Sequence, residues 1–129
     1  MDRETSSAAV GEPEENPETV CLARLPAREL LLVDTLNSQY RIVPTEPATR
    51  HARIQGGPAF AQPTPVTIVG ATSGYGFLKP GWIDVGMGIE ILTRDRRLLV
   101  TSAVSAIHVT HRVEVDPDET AESRPAEQL

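Results

Sequence analysis

The sequence predicts an all-β protein, a small antiparallel barrel or a compact sandwich of about seven or eight short strands. Between residues 20 and 115, apolar residues recur at every second position, which is the period of a half-buried strand. Proline or glycine interrupts this pattern after about every ten residues, as expected for short strands joined by turns. Because aromatic residues make up only 4% of the chain, we expect a small core of Val, Ile and Leu that gains stability from a second copy.

Charge divides the chain into three parts. Residues 1–18 carry six acids and one base, and residues 116–129 carry five acids and one base, with few large apolar residues in either segment. Segments of this kind bury too little apolar surface to offset their chain entropy. We therefore predict disordered acidic tails at 1–18 and 116–129 around an all-β domain at 19–115. The domain has ten bases and seven acids, so the net charge of −6 belongs to the tails.

The predicted strands follow one another along this domain. The four successive apolar residues of Leu30–Val33 suit a strand buried on both faces better than a two-turn helix. Polar turns at Leu36–Ser38 and Arg94–Arg97 each predict a hairpin, and the alternation of Ala106–Val115 makes it the clearest strand. The predicted set is Val20–Leu22, Leu30–Thr35, Gln39–Val43, Ala52–Gln55, Val66–Val69, Met87–Thr93, Leu98–Thr101 and Ala106–Val115.

In the glycine-rich segment Val66–Gly76, the residues VTIV precede glycines with the spacing GxxxGxG, beginning at Gly70. This segment resembles the nucleotide-binding turn of the short-chain dehydrogenases. The resemblance implies a strand, a turn and a helix whose N-terminus binds a dinucleotide. Pro80 and Gly81 follow too closely for a helix to form, so we predict instead that these glycines mark turns and bulges of a curved sheet. No cofactor is expected.

Aromatic side chains around the same glycines form one candidate binding site. Tyr75, Phe77 and Trp82 lie within eight positions of one another, together with Lys79, the only lysine of the chain. Exposed aromatic residues beside a positive charge are typical of protein-binding surfaces. We therefore predict that Tyr75, Phe77, Lys79 and Trp82 contact a protein partner.

An arginine group at a predicted hairpin tip is the alternative site. Arg94, Arg96 and Arg97 form the densest positive group, which His51 and its neighbouring arginines would extend if the fold brought them near. Such a group can contact nucleic-acid phosphates. A solvated turn that protects a sheet edge from aggregation is the simpler interpretation, and the acidic tails would compete for any cationic surface.

The residues that could serve catalysis or bind a metal form no recognised pattern. His108 and His111 are three apart on a predicted strand and point to opposite faces, so they do not share a metal ion; we expect His108 to be exposed. Ser73 lies outside a GxSxG elbow. A small enzyme with a site near Asp84 or Ser102 is the weakest alternative.

These observations favour association over catalysis. We predict a homo-oligomeric structural or adaptor module without a cofactor, whose partners are itself and another protein; a nucleic-acid-binding domain is the alternative. The single cysteine, Cys21, and the lack of a long apolar segment favour a cytoplasmic protein that does not bind membranes.

Overall fold

The computed structural model describes residues 14–113, which form eleven strands paired in antiparallel fashion. Two short 3-10 turns, at Leu22–Arg24 and Pro47–Thr49, interrupt them, and no α-helix occurs within this segment. The all-β prediction is thus confirmed. The strands are β1 Glu14–Glu15, β2 Thr19–Cys21, β3 Glu29–Thr35, β4 Gln39–Glu46, β5 His51–Gly56, β6 Phe60–Thr72, β7 Leu78–Pro80, β8 Trp82–Asp84, β9 Gly88–Thr93, β10 Leu98–Val100 and β11 Val104–Val113.

The strands build two sheets. Nine strands form the larger one in the order β1-β11-β3-β4-β5-β6-β9-β10, with β7 paired to β6, while β2 and β8 form a separate two-stranded sheet. Neither sheet closes into a barrel over the described residues. Two backbone hydrogen bonds join the start of β11 to the segment before β9, from the Gly86 N–H to the Val104 carbonyl and from the Val104 N–H to the Met87 carbonyl. They connect two distant parts of the large sheet, although β9 and β11 do not pair as strands.

One contiguous core lies between the strands. Residues that alternate inward along the strands, such as Ile89 and Ile91 on β9, are fully buried, as the period-two pattern requires. On β11, Ile107 and Val109 face the core, while His108 and Thr110 are half-buried. The most deeply buried apolar side chains include Leu31, Val33, Ile42, Ile54, Ile68, Ile83, Ile89, Ile91 and Ile107.

Both predicted hairpins are present. The β3–β4 turn is closed by a hydrogen bond from the Thr35 N–H to the Ser38 carbonyl, and the Thr35 hydroxyl accepts the N–H groups of Asn37 and Ser38. The β9–β10 turn is closed by the Thr93 N–H donating to the Arg97 carbonyl. The Thr35 hydroxyl takes the place of a backbone acceptor within its turn, as short polar side chains commonly do.

Three strands were not predicted, namely β1, β7 and β8. Each has two or three residues, which is too short to show an alternating pattern. Within the predicted N-terminal tail, Glu14 and Glu15 pair with Thr110 and Val109 of β11. Of the two predicted tails, residues 14–18 are described, whereas residues 1–13 and 116–129 lie outside the described residues.

Candidate interaction surfaces

The turn between β6 and β7 exposes three apolar side chains. Tyr75 is 93% exposed and Phe77 is 54% exposed, and Leu78 at the start of β7 adds to the same surface. We call these three residues the aromatic tip. Tyrosine and phenylalanine are large apolar side chains that usually gain from burial, so their exposure at one turn forms an unusual surface.

Hydrogen bonds within the turn hold the aromatic tip in place. The Ser73 N–H donates to the Phe77 carbonyl over 3.2 Å, which closes the turn. The Tyr75 N–H donates to the Ser73 hydroxyl, also over 3.2 Å, and the Gly74 N–H donates to the Thr72 hydroxyl. The exposure of Tyr75 therefore belongs to an ordered turn with its own hydrogen bonds.

The glycine-rich segment forms a hairpin and not a nucleotide-binding turn. Gly70 lies within β6, which continues to Thr72, and β7 begins at Leu78. Gly70 is paired on both sides, with Pro80 of β7 and with Glu90 of β9, at a register shift of the β6–β9 ladder. No helix follows within the described chain, and the glycines therefore serve the turns and bulges of the sheet.

The other two residues of the predicted protein-binding site are engaged within the chain. The Lys79 ammonium lies 4.5 Å from the centroid of the Trp82 ring and 2.9 Å from the Asp84 carboxylate. The Thr19 hydroxyl donates to the other oxygen of Asp84. Because Thr19 lies on β2, Trp82 and Asp84 on β8, and Lys79 on β7, this cluster ties the small sheet to the large one.

The sequence contained a signal for this internal contact. Pro80-Gly81 separates Lys79 from Trp82, and this dipeptide favours a tight turn with positive φ at the glycine. Gly81 has φ +78°, and the turn places the flanking residues side by side. The four predicted residues thus divide into an exposed pair, Tyr75 and Phe77, and a pair that stabilises the fold.

The arginine group lies at the β9–β10 turn, as predicted. Arg97 pairs with Asp95 over 3.2 Å, and a hydrogen bond from the Thr93 hydroxyl, together with the charge of Arg97, lowers the pKa of the Asp95 carboxyl. Arg94 and Arg96 are exposed and form no ion pair with any residue whose side chain the structure describes, which are residues 15–110. The group therefore has two cations available to a ligand and a third that is partly neutralised.

Two adjoining clefts run beside Arg94. The larger one has a volume of about 370 Å³ and is lined by residues of β4, β5, β6 and β9, including His51, together with Arg94. The fold thus brings His51 near the arginine group, whereas the Arg50 side chain lies against Gly81. A hydrogen bond with His51 lowers the pKa of the Glu46 carboxyl on the same cleft. The cleft therefore carries both signs of charge, which weakens its attraction for polyanions.

His108 and Asp34 contact each other within the fold. Nε2 of His108 lies 3.2 Å from the Asp34 carboxylate, so the half-buried His108 is less exposed than predicted. Gln39 donates to the other Asp34 oxygen over 2.7 Å and is the main cause of its lowered pKa. The Ser102 hydroxyl accepts the Asn37 N–H, and neither Ser102 nor Asp84 lines the two clefts described here. The side chain of His111 lies outside the described residues.

Within residues 14–113 there is no group of three or more His, Cys, Asp or Glu residues arranged to hold a metal ion. No helix of this part of the chain is long and apolar enough to cross a membrane. Comparisons with models of known protein families, with curated proteins and with solved structures return no match.

Proposed function

We propose that the protein is a non-catalytic interaction module, a homo-oligomeric structural or adaptor domain whose aromatic tip contacts a protein partner. The observation that carries the proposal is the 93% exposure of Tyr75 on a turn held by its own hydrogen bonds. Tyrosine is among the residues that contribute most to binding energy at protein interfaces. An ordered turn loses little conformational entropy on binding, so its aromatic side chains are efficient anchors.

Lys79 and Trp82 stabilise the hairpin that carries the aromatic tip. Lys79 pairs with Ala71 across the β6–β7 ladder, one residue from Leu78 of the aromatic tip. Its contacts with Trp82 and Asp84 fix the base of the hairpin. In this proposal Tyr75 and Phe77 contact the partner, while Lys79 and Trp82 position the hairpin.

The test replaces Tyr75 and Phe77 by serine together, with Leu36→Ser as the matched control. Leu36 is 73% exposed on the β3–β4 turn and is apolar, but it lies outside the aromatic tip. A photo-crosslinking amino acid at position 75, compared with one at position 36, captures the partner directly. We expect crosslinks from position 75 and fewer from position 36. A crosslinker placed next to the aromatic tip should form fewer crosslinks when Tyr75 and Phe77 are replaced by serine, and the same number with Leu36→Ser. Equal crosslinking from positions 75 and 36 would contradict the proposal.

Nucleic-acid binding is the second candidate, because Arg94 and Arg96 are exposed without an ion-pair partner among the described residues. Each phosphate contact contributes about one unit to the slope of log affinity against log salt concentration. Arg94→Ala and Arg96→Ala should each reduce that slope by about one, and Arg97→Ala by less, because Asp95 already pairs with Arg97. Labelled RNA or DNA that is not retained at low salt would remove this candidate.

A further inference from the structure

The edge strand β10 presents backbone groups outward. In the β9–β10 ladder, the Thr93 N–H donates to the Arg97 carbonyl and the Thr101 N–H donates to the Ile89 carbonyl. The register pairs Leu99 with Ile91 between these two bonded pairs, so Leu99 directs its N–H and carbonyl toward β9. The N–H and carbonyl groups of Leu98 and Val100 therefore point away from β9, along the free edge of the large sheet.

The side chains of the same two residues form an exposed apolar row. Leu98 and Val100 are each 57% exposed and lie on one face of the strand. Leu98 is opposite Leu92, which is also exposed, so the row extends onto β9. Leu99 faces the other way and packs against the core. An edge with free hydrogen-bonding groups and an apolar face is a template for pairing with another strand.

We propose that two copies of this chain pair through antiparallel β10 strands, related by a two-fold axis at Leu99. In that register Leu98 of each copy is opposite Val100 of the other. Each such pair exchanges two backbone hydrogen bonds, because both residues direct their N–H and carbonyl groups outward. The arrangement is self-complementary, as a two-fold interface requires, and joins the two large sheets into one.

Charge favours a second copy in this antiparallel orientation. The arginine group lies at the Leu98 end of β10, whereas Glu90 lies beside Val100 at the other end. Antiparallel pairing sets the arginines of each copy toward the Glu90 end of its partner, while parallel pairing would set arginine against arginine. The inference rests on the homo-oligomeric part of the proposed function and does not involve the aromatic tip.

Two substitutions test the pairing. Val100→Pro removes an outward N–H but no ladder bond to β9, and proline is tolerated on edge strands in that position. Leu98→Lys places a charge in the exposed apolar row of β10 and leaves the backbone hydrogen-bonding groups unchanged. It tests the pairing even if Val100→Pro fails to fold. Leu36→Lys, on the distant β3–β4 turn, is the matched control.

The measurements are the mass in solution by light scattering over a range of concentrations and the hydrogen exchange of single amides. We expect the parent and Leu36→Lys to reach twice the monomer mass of 14.0 kDa, with the Leu98 and Val100 amides protected as the dimer forms. Leu98→Lys should raise the dissociation constant at least about tenfold. A parent that stays monomeric, or a dimer in which these two amides exchange rapidly, would overturn the proposal.

Discussion

Replacing Gly70 by alanine tests the conclusion that the glycine-rich segment serves the sheet. Gly70 lies between β7 and β9 with φ +152°, a conformation that L-residues rarely adopt. An added Cβ would overlap the carbonyl oxygen of Lys79 and lie 2.9 Å from Cα of Pro80. Both obstacles are backbone atoms of the paired strand, so the chain relieves them only by separating β6 from β7.

The expected cost follows from these two effects. Unfavourable φ at a non-glycine residue costs roughly 1–3 kcal/mol, and inserting an atom into a packed site costs roughly 1–3 kcal/mol more. We expect Gly70→Ala to lower the free energy of unfolding by about 4 kcal/mol, or the melting temperature by roughly 16 °C or more. Gly74→Ala is the matched control, because its added Cβ meets no atom within 4 Å. Its cost should be about 1 kcal/mol, from φ alone.

Urea denaturation followed by Trp82 fluorescence measures both variants, since Trp82 is the only tryptophan and lies beside the affected hairpin. The free energy of unfolding should depend on urea concentration about equally in the two variants. Their urea midpoints should therefore differ by the roughly 3 kcal/mol between them divided by that common slope. If Gly70→Ala were within about 1 kcal/mol of Gly74→Ala, the paired, double-sided environment of Gly70 would be refuted.

Two further perturbations concern the acids that join strands. Asp84→Ala removes the partner of Lys79 and Thr19 and should lower the free energy of unfolding by about 2 kcal/mol, whereas Arg97→Ala, in an exposed ion pair, should cost less than about 0.5 kcal/mol. Thermal unfolding compares the two, and equal costs would contradict a stabilising role for the Lys79 cluster. Asp34 has a lowered pKa in the folded state, so its ionised form stabilises the fold above the unfolded pKa, and this contribution is lost as the pH falls through the folded pKa. As the pH is lowered from about 6 to 2, the urea midpoint should therefore fall less steeply for Asp34→Asn than for the parent. An identical pH dependence in the two proteins would show that the Gln39 and His108 contacts do not stabilise the carboxylate.

The sequence predicted the long strands because burial imposes a period of two on them. Ile107 and Val109 alternate with His108 and Thr110 in the sequence, and the same alternation separates core from surface in the structure. Apart from the two hairpins, which their turn residues predicted, strand partners could not be predicted, because the alternation fixes which face is buried and not which strand is adjacent. The register shift of the β6–β9 ladder at Gly70 also could not be predicted, because it has no signature beyond the glycine itself.

The candidate sites show a different limit. Tyr75, Phe77, Lys79 and Trp82 have the same composition whether they contact a partner or one another, because cation–π and aromatic contacts form equally within a chain and between chains. The turn at Gly81 places Lys79 over Trp82, whereas Tyr75 lies on the separate β6–β7 turn and stays exposed. The edge groups of β10 were not predicted, because their outward direction depends on the register with β9.

The aromatic tip and the arginine group lie at opposite ends of β9. Thr72, which precedes the aromatic tip, pairs with Gly88 at one end, and Val66 pairs with Thr93 at the other. In the proposed dimer, antiparallel pairing brings the arginine group of each copy to the end of the joined sheet that carries the aromatic tip of the other. The tip remains outside the β10 interface, so serine at positions 75 and 77 should leave the dimer mass unchanged while weakening the crosslinks that neighbouring positions form to a second protein. Loss of the dimer in that variant would show instead that the aromatic tip is itself the self-association surface.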